Sequence, residues 1–206
     1  MGDIAGSYSN FYRTPLGKEV LRREASYVAG ALGSCERIIH VGCGPGFLEE
    51  AIPQANILGV DISVEMLREA RKHTSRYLVL ADGQHLCFKD CVFDGVLFVT
   101  SLEFIEDYAM ALKEAHRVLR PGGKLLALML NPQSEYFKEK ARKRASYFSQ
   151  IRHTASREIV AAAETLFRVQ VEHLLGIRGT SVFDTSDPTL ASLCAIHGRK
   201  MAESAP

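Results

Sequence analysis

Apolar runs of β type alternate with stretches of helical spacing through residue 131 of this chain. Arg37-Ile38-Ile39-His40-Val41 is short and β-branched, and it runs into Gly42-Cys43-Gly44-Pro45-Gly46 and then Phe47-Leu48-Glu49-Glu50-Ala51-Ile52. That order reads as strand, tight loop, helix. Residues 56–61 read as a second strand ending in Asp61, with Ser63 as N-cap of a helix over 64–73 that puts Met66, Leu67 and Ala70 on one face. Residues 76–83 form a third strand ending in Asp82-Gly83, and residues 92–100 a fourth, nearly all apolar as a central parallel strand requires. Asp107 caps a helix with Ala111, Leu112, Ala115, Val118 and Leu119 on its apolar side, Arg120-Pro121-Gly122-Gly123 is a turn, and residues 124–130 form a fifth strand.

Both ends are less regular. Residues 1–12 are polar with Tyr8, Phe11 and Tyr12 interleaved; a turn at 14–17 leads to a helix through Val20, Leu21, Ala25, Val28 and Leu32. This arm either packs on the helical layer or closes over a ligand as a lid. Residues 133–152 read as one helix rich in Lys138, Lys140, Arg142, Lys143 and Arg144, with Tyr136, Phe137, Tyr147 and Phe148 between. A solvated helix with a buried aromatic face explains that mixture better than a nucleic-acid surface. Ser156 is expected to cap a helix over 157–166, residues 176–188 form a polar loop, and strands at 167–175 and 190–197 make an antiparallel hairpin at a sheet edge.

The chemistry collects at the strand ends. Alternating glycines let the backbone turn sharply and let a ligand approach where Cβ atoms would block it. N–H groups at the following helix start favour polar ligand groups. Asp61 comes about 20 residues after the turn, the place from which a carboxylate accepts from two ribose hydroxyls. Asp82-Gly83 lies at the next strand end, where a carboxylate can accept from an adenine amine. Thr100, Ser101, Leu102 and Glu103 end the fourth strand. Glu103, His116 and Tyr12 are candidate bases by residue type, and no catalytic residue is assigned.

Composition removes several classes. The chain has 206 residues with a net charge of +1, so no global field demands nucleic acid or membrane. Five cysteines without ligand spacing, Cys87 and Cys91 included, suit a reducing cytoplasmic setting and no metal site. No secretory signal or membrane-spanning run is read.

Four blocks together resemble the class I S-adenosylmethionine-dependent methyltransferases, and within them the small type 11 group. They are 39–46, 59–63, 81–83, and 93–96 through 117–124, and they cover roughly residues 37–131. The resemblance implies a Rossmann-like α/β three-layer sandwich with a seven-stranded, mostly parallel sheet and an antiparallel last strand. It implies one domain over 1–206: a lid at 1–33, a cofactor-binding core at 37–131, and acceptor-side helices and hairpin at 132–206. Gly42, Cys43, Gly44 and Gly46 would pack on the methionine and ribose of S-adenosylmethionine, and Asp61 would hold the ribose. Ile62 and Met66 would flank the adenine, Asp82 and Gly83 would read it, and Thr100 and Ser101 would line the methyl end. His40 stands where the family usually has an acid near the cofactor's ammonium; a neutral imidazole there accepts a hydrogen bond without supplying counter-charge.

The expected reaction is methyl transfer to a small-molecule acceptor, with S-adenosylhomocysteine as product. Two rivals are a cofactor-binding protein without transfer and a nicotinamide-dependent oxidoreductase. The second wants its third glycine three positions after the second, where Phe47 stands. Acceptor and oligomeric state are left open.

Overall fold

The computed structural model describes residues 4–142 and 147–201. In chain order the elements are α1 (Ile4–Arg13), α2 (Pro15–Leu32), β1 (Ile38–Val41), α3 (Phe47–Ala51), β2 (Ile57–Asp61), α4 (Val64–Ala70), β3 (Leu78–Leu80) and β4 (Phe93–Val99). Then follow α5 (Tyr108–Val118), β5 (Leu119–Leu130), α6 (Glu135–Ala141), α7 (Ser156–Glu164), β6 (Arg168–Arg178), β7 (Ser181–Phe183) and β8 (Ala191–Arg199).

One sheet runs β3-β2-β1-β4-β5-β8-β6-β7. The pairs among β1 to β5 are parallel, and β8 is antiparallel to both β5 and β6. The order reverses beside β1, so the carboxyl ends of β1 and β4 flank a crevice, the place where open α/β sheets take ligands. β1 and β4 are buried at every position. One face packs Ile39, Val96, Phe98 and Ala127 against α5 and α7; the other packs Ile38, Leu97, Leu126 and Leu128 against α2. This is the expected three-layer α/β sandwich.

Several local readings change. Residues 4–13 are helical, because α1 is a separate helix that meets α2 at a corner. Thr14 makes that corner: its Oγ1 donates to Phe11 O at 2.7 Å and accepts from Gly17 N at 3.0 Å. The basic stretch is not one helix: α6 stops at Ala141, a 3-10 turn occupies Tyr147–Gln150, and Lys143 and Arg144 lie outside the described residues. Ser156 is the first residue of α7 and makes no side-chain cap. β6 continues to Arg178 and turns back into β7 within the expected loop, adding an eighth, short strand. The last strand is not at the edge, since β8 lies between β5 and β6. The turn at 120–123 is a bulge within β5, where the register to β4 jumps between Phe93 and Gly95.

Candidate cofactor and acceptor sites

The turn after β1 is held open by three left-handed glycines, with φ +75° at Gly42, +56° at Gly44 and +76° at Gly46. At Gly42 a side chain is excluded twice, because a Cβ there would also come within 2.5 Å of Ser101 Cβ. Around Gly44 the nearest neighbouring atom to such a Cβ is Tyr8 Cε1 at 3.8 Å, so the turn leaves room for a flat or narrow ligand. Gly42 N and Cys43 N donate to Val60 O at 2.7 and 3.0 Å and pin the turn to β2. The buried Cys43 side chain fills the space a Gly59 side chain would need, and burial pushes its thiol well up, so it packs as a small hydrophobe.

Asp61 is beside the turn, as its position at the end of β2 predicts. Its Oδ2 accepts from Gly44 N and its Oδ1 from Ser63 N, both at 2.8 Å. Burial raises its pKa, opposed by these same N–H donors. Each oxygen keeps a lone pair for a further donor. Beside it Ile62 is 69% exposed and Leu80, its neighbour across β3, 56% exposed, with half-buried Met66 behind. Acid and apolar strip together form a rim suited to a flat ring with polar edges. Asp82 lies on the same rim and already accepts from Gln84 N at 2.9 Å and Gln84 Nε2 at 3.1 Å. Gly83 is required by packing, since a Cβ there would sit 2.7 Å from Val41 Cγ1.

At the end of β4, Thr100 has φ +43°, a strained value for a β-branched residue. The cost is held by Thr100 N donating to Leu128 O at 2.7 Å and by Tyr8 Oη lying 3.3 Å from Oγ1. Ser101 Oγ donates to Val41 O at 2.8 Å, so that hydroxyl braces β1.

His40 is buried, and its Nδ1 lies 2.6 Å from Glu49 Oε1 on α3. A carboxylate accepts only, so Nδ1 carries the proton and Nε2 presents a lone pair when the ring is neutral. Nε2 has no partner among the described residues. A buried acid, Glu49, thus stands behind the imidazole at position 40.

Two cavities meet under α1. A narrow cleft is lined by His40, Gly42, Cys43, Pro45, Phe47 and Val99, together with Tyr8, Tyr12 and Glu24. The larger cavity, about 260 Å³, shares Tyr8, Tyr12 and Glu24 and runs on to Thr100. Its far walls are Tyr136 and Phe148 around α6, Leu175 and Ile177 on β6, and Leu193 on β8, with Lys140 and Ser192 as polar groups. The partition between the cavities is a hydrogen-bonded relay. Tyr8 Oη donates to Tyr12 Oη at 3.4 Å, and Tyr12 Oη donates to Glu24 Oε2 at 3.2 Å.

Glu24 escaped the sequence reading. Its signal was an acid in the apolar stripe of α2, four residues after Val20 and four before Val28. It is 2% exposed, and burial pushes its carboxyl up to about 7. Glu103, the candidate base at the end of β4, is also buried and pushed up to about 7, but it lines neither cavity. Its Oε1 accepts from Leu130 N at 3.0 Å and its backbone carbonyl from Arg152 and His153 N, so it braces the end of β5. His116 packs its ring on Phe167, away from the strand ends.

A family model described as a methyltransferase domain matches residues 39–127. The chain is 35% identical over 111 residues to a malonyl-[acyl-carrier protein] O-methyltransferase of Legionella pneumophila, covering 50% of this chain and 38% of that one. It is 33% identical over 123 residues to a ubiquinone biosynthesis O-methyltransferase of Alkalilimnicola ehrlichii, covering 54% and 50%. The chain therefore spans half or less of the length of these relatives. A crystal structure of an S-adenosylmethionine-dependent methyltransferase from Thermotoga maritima superposes with a TM-score of 0.76 over 96% of both chains at 23% identity, a likeness of fold. The glycine turn, both rim acids and the strand ends all fall within the matched segment, so it is residues 39–127 that carry the similarity to the methyltransferase domain family.

Proposed function

We propose that this chain transfers a methyl group from S-adenosylmethionine to a compact, largely apolar small molecule held under α1 and α6. The observation that carries the reading is the meeting of two differently built sites at Tyr8, whose Cε1 borders the glycine turn at Gly44 and whose side chain lines the apolar cavity. One is a rim of Asp61 and exposed Ile62 beside a left-handed glycine turn; the other is an apolar cavity of about 260 Å³. Curated relatives named for ubiquinone biosynthesis, malonyl-acyl-carrier protein and demethylmenaquinone support a methyl acceptor of this kind.

The cofactor fits the residues present. Gly44 leaves open space where a Cβ would crowd a ligand, Asp61 has spare lone pairs, and His40 Nε2 is an orphaned buried acceptor. In this reading Gly42, Cys43, Gly44 and Gly46 form the cradle and Asp61 takes the ribose hydroxyls. Ile62 and Met66 cover the adenine faces, Asp82 and Gly83 meet its edge, His40 accepts from the ammonium, and Thr100 and Ser101 border the methyl group. S-adenosylmethionine supplies a methyl already activated on a sulfonium. The protein's share is alignment and exclusion of water. Tyr8 and Tyr12 close the approach from α1, and Tyr136 and Phe148 hold the acceptor from the other side. Residues 1–33 then act as lid, 37–131 as cofactor-binding core and 132–206 as acceptor side of one domain, in a cytoplasmic setting that keeps the cysteines as thiols. Among the described residues no helix is long and apolar enough to cross a membrane.

Thermal unfolding with S-adenosylhomocysteine and with NAD tests the cofactor: only the first should raise the midpoint. Labelled methyl from S-adenosylmethionine should then enter a small molecule of a metabolite extract. Binding without any label transfer would leave a cofactor-binding protein instead.

A further inference from the structure

Among the described residues the cleft beside the glycine turn holds a carboxylate and no lysine or arginine. Glu24 lines it, together with His40, Gly42 and Cys43. A carboxylate inside an apolar helix stripe loses several kcal/mol of hydration unless a cation or several donors replace it. Tyr12 Oη at 3.2 Å is a neutral donor and offsets only part of that loss. Among the described residues Glu24 makes no salt bridge, and Tyr12 is its side-chain hydrogen-bond partner. Left to itself the carboxyl is partly protonated near neutral pH, and a ligand cation would hold it ionised.

The other acids near the strand ends each already hold a protein donor, and Glu49 and Glu103, whose Oε2 atoms have no partner among the described residues, line neither cavity. Asp61 accepts from two backbone N–H groups, Asp82 from Gln84, Glu49 from His40 and Glu103 from Leu130. Glu24 lines the same cleft as His40, whose Nε2 presents a lone pair when Glu49 holds the Nδ1 proton. An anion from α2 and a neutral acceptor from β1 lining one narrow cleft match the donors of a primary ammonium.

We infer that Glu24 on α2 is the counter-charge for the α-ammonium of the adenosyl ligand, with His40 as its second acceptor. This rests on the cofactor reading above and deepens it: the lid helix pair, not the sheet, tells an adenosyl amino acid from plain adenosine derivatives. Because α1 reaches Glu24 through Tyr12, seating the ammonium also fixes the lid.

The test is calorimetric and needs no acceptor. S-adenosylhomocysteine and methylthioadenosine share the adenosine thioether, and only the first carries the amino-acid end. Glu24→Gln should weaken S-adenosylhomocysteine at least about 30-fold and leave methylthioadenosine within about twofold. Glu24→Asp, which keeps the charge, should recover most of the difference, and unchanged methylthioadenosine binding shows that both variants are folded. The groups facing Glu24 are Tyr8 and Tyr12 from α1 and His40 from β1, with Lys140 across the larger cavity. In the wild type the preference for S-adenosylhomocysteine should therefore fall as pH drops below about 7, and in Glu24→Gln that fall should disappear. Equal weakening of both ligands, or a change under about threefold for S-adenosylhomocysteine, overturns the inference while the cofactor reading stands. Failure of the wild type to bind either ligand overturns both.

Discussion

The rim on β1 to β3 and the cavity under α1 and α6 come together at Tyr8 and are made of opposite materials. The rim is built from residues close in sequence to strand ends: a turn, an acid one strand over, a second acid one strand beyond that. Its polar work is done by backbone N–H groups that hold Asp61 at 2.8 Å, and its apolar part lies open. The cavity takes its walls from α1, α2, α6, β6 and β8, and its polar groups are side chains. A rim made of backbone can change little without losing the turn. A cavity made of side chains can be recut for a new acceptor with the fold intact. The molecule divides a fixed task from an adjustable one along the line where the two meet.

The largest effect should come from the rim. Asp61→Ala removes the acceptor of Gly44 N and Ser63 N and of both proposed ribose hydroxyls. Hydrogen bonds to a charged group contribute about 1.5–3 kcal/mol each, so S-adenosylhomocysteine should weaken by about 3–5 kcal/mol. Calorimetry giving less than about a fivefold change would place the ribose elsewhere.

That contrast also explains what could be read from the chain. The first three parallel strands were legible because each is a short, mostly apolar run followed by a glycine or an acid, so motif and position coincide. Asp61 beside Gly44 followed from that order alone. The cavity was not legible, because Tyr12, Glu24, Tyr136 and Leu193 are brought together only by tertiary packing. Glu24 drew no reading in the sequence; only its spacing from Val20 and Val28 marks it as inward. His40 was readable as a departure, but its partner Glu49 sits nine residues on, in a helix of five residues whose inward face no periodicity reveals. β7 was missed because three residues are too few to show alternation.

The two buried glutamates offer a second, smaller test. Glu24 and Glu103 have folded-state values pushed from 4.5 to about 7. Folded carboxyls that hold protons the unfolded chain releases give stability that is fully present below about 4.5 and is lost as pH rises through about 7. Each should account for about 3 kcal/mol between pH 5 and 8. Urea unfolding should show Glu103→Gln losing about half of that slope. Saturating S-adenosylhomocysteine should remove the Glu24 share alone, because the ammonium keeps that carboxylate ionised. A ligand that left the slope untouched would separate Glu24 from the cofactor site.

The smallest effect belongs to the acceptor wall. The Phe148 ring lies 5.4 Å from the Phe137 ring and 6.0 Å from the Tyr136 ring, edge to face in both pairs. Phe148→Leu keeps the wall apolar and removes the edge-to-face pairing, worth about 1 kcal/mol. The cavity's shape should loosen while the rim, which Phe148 does not touch, keeps its geometry. For whichever acceptor takes the label, KM should therefore rise about three- to tenfold, with S-adenosylhomocysteine affinity unchanged. An equal loss on the cofactor side would mean that the lid couples the two sites through α1, and the division of labour would be weaker than their materials suggest.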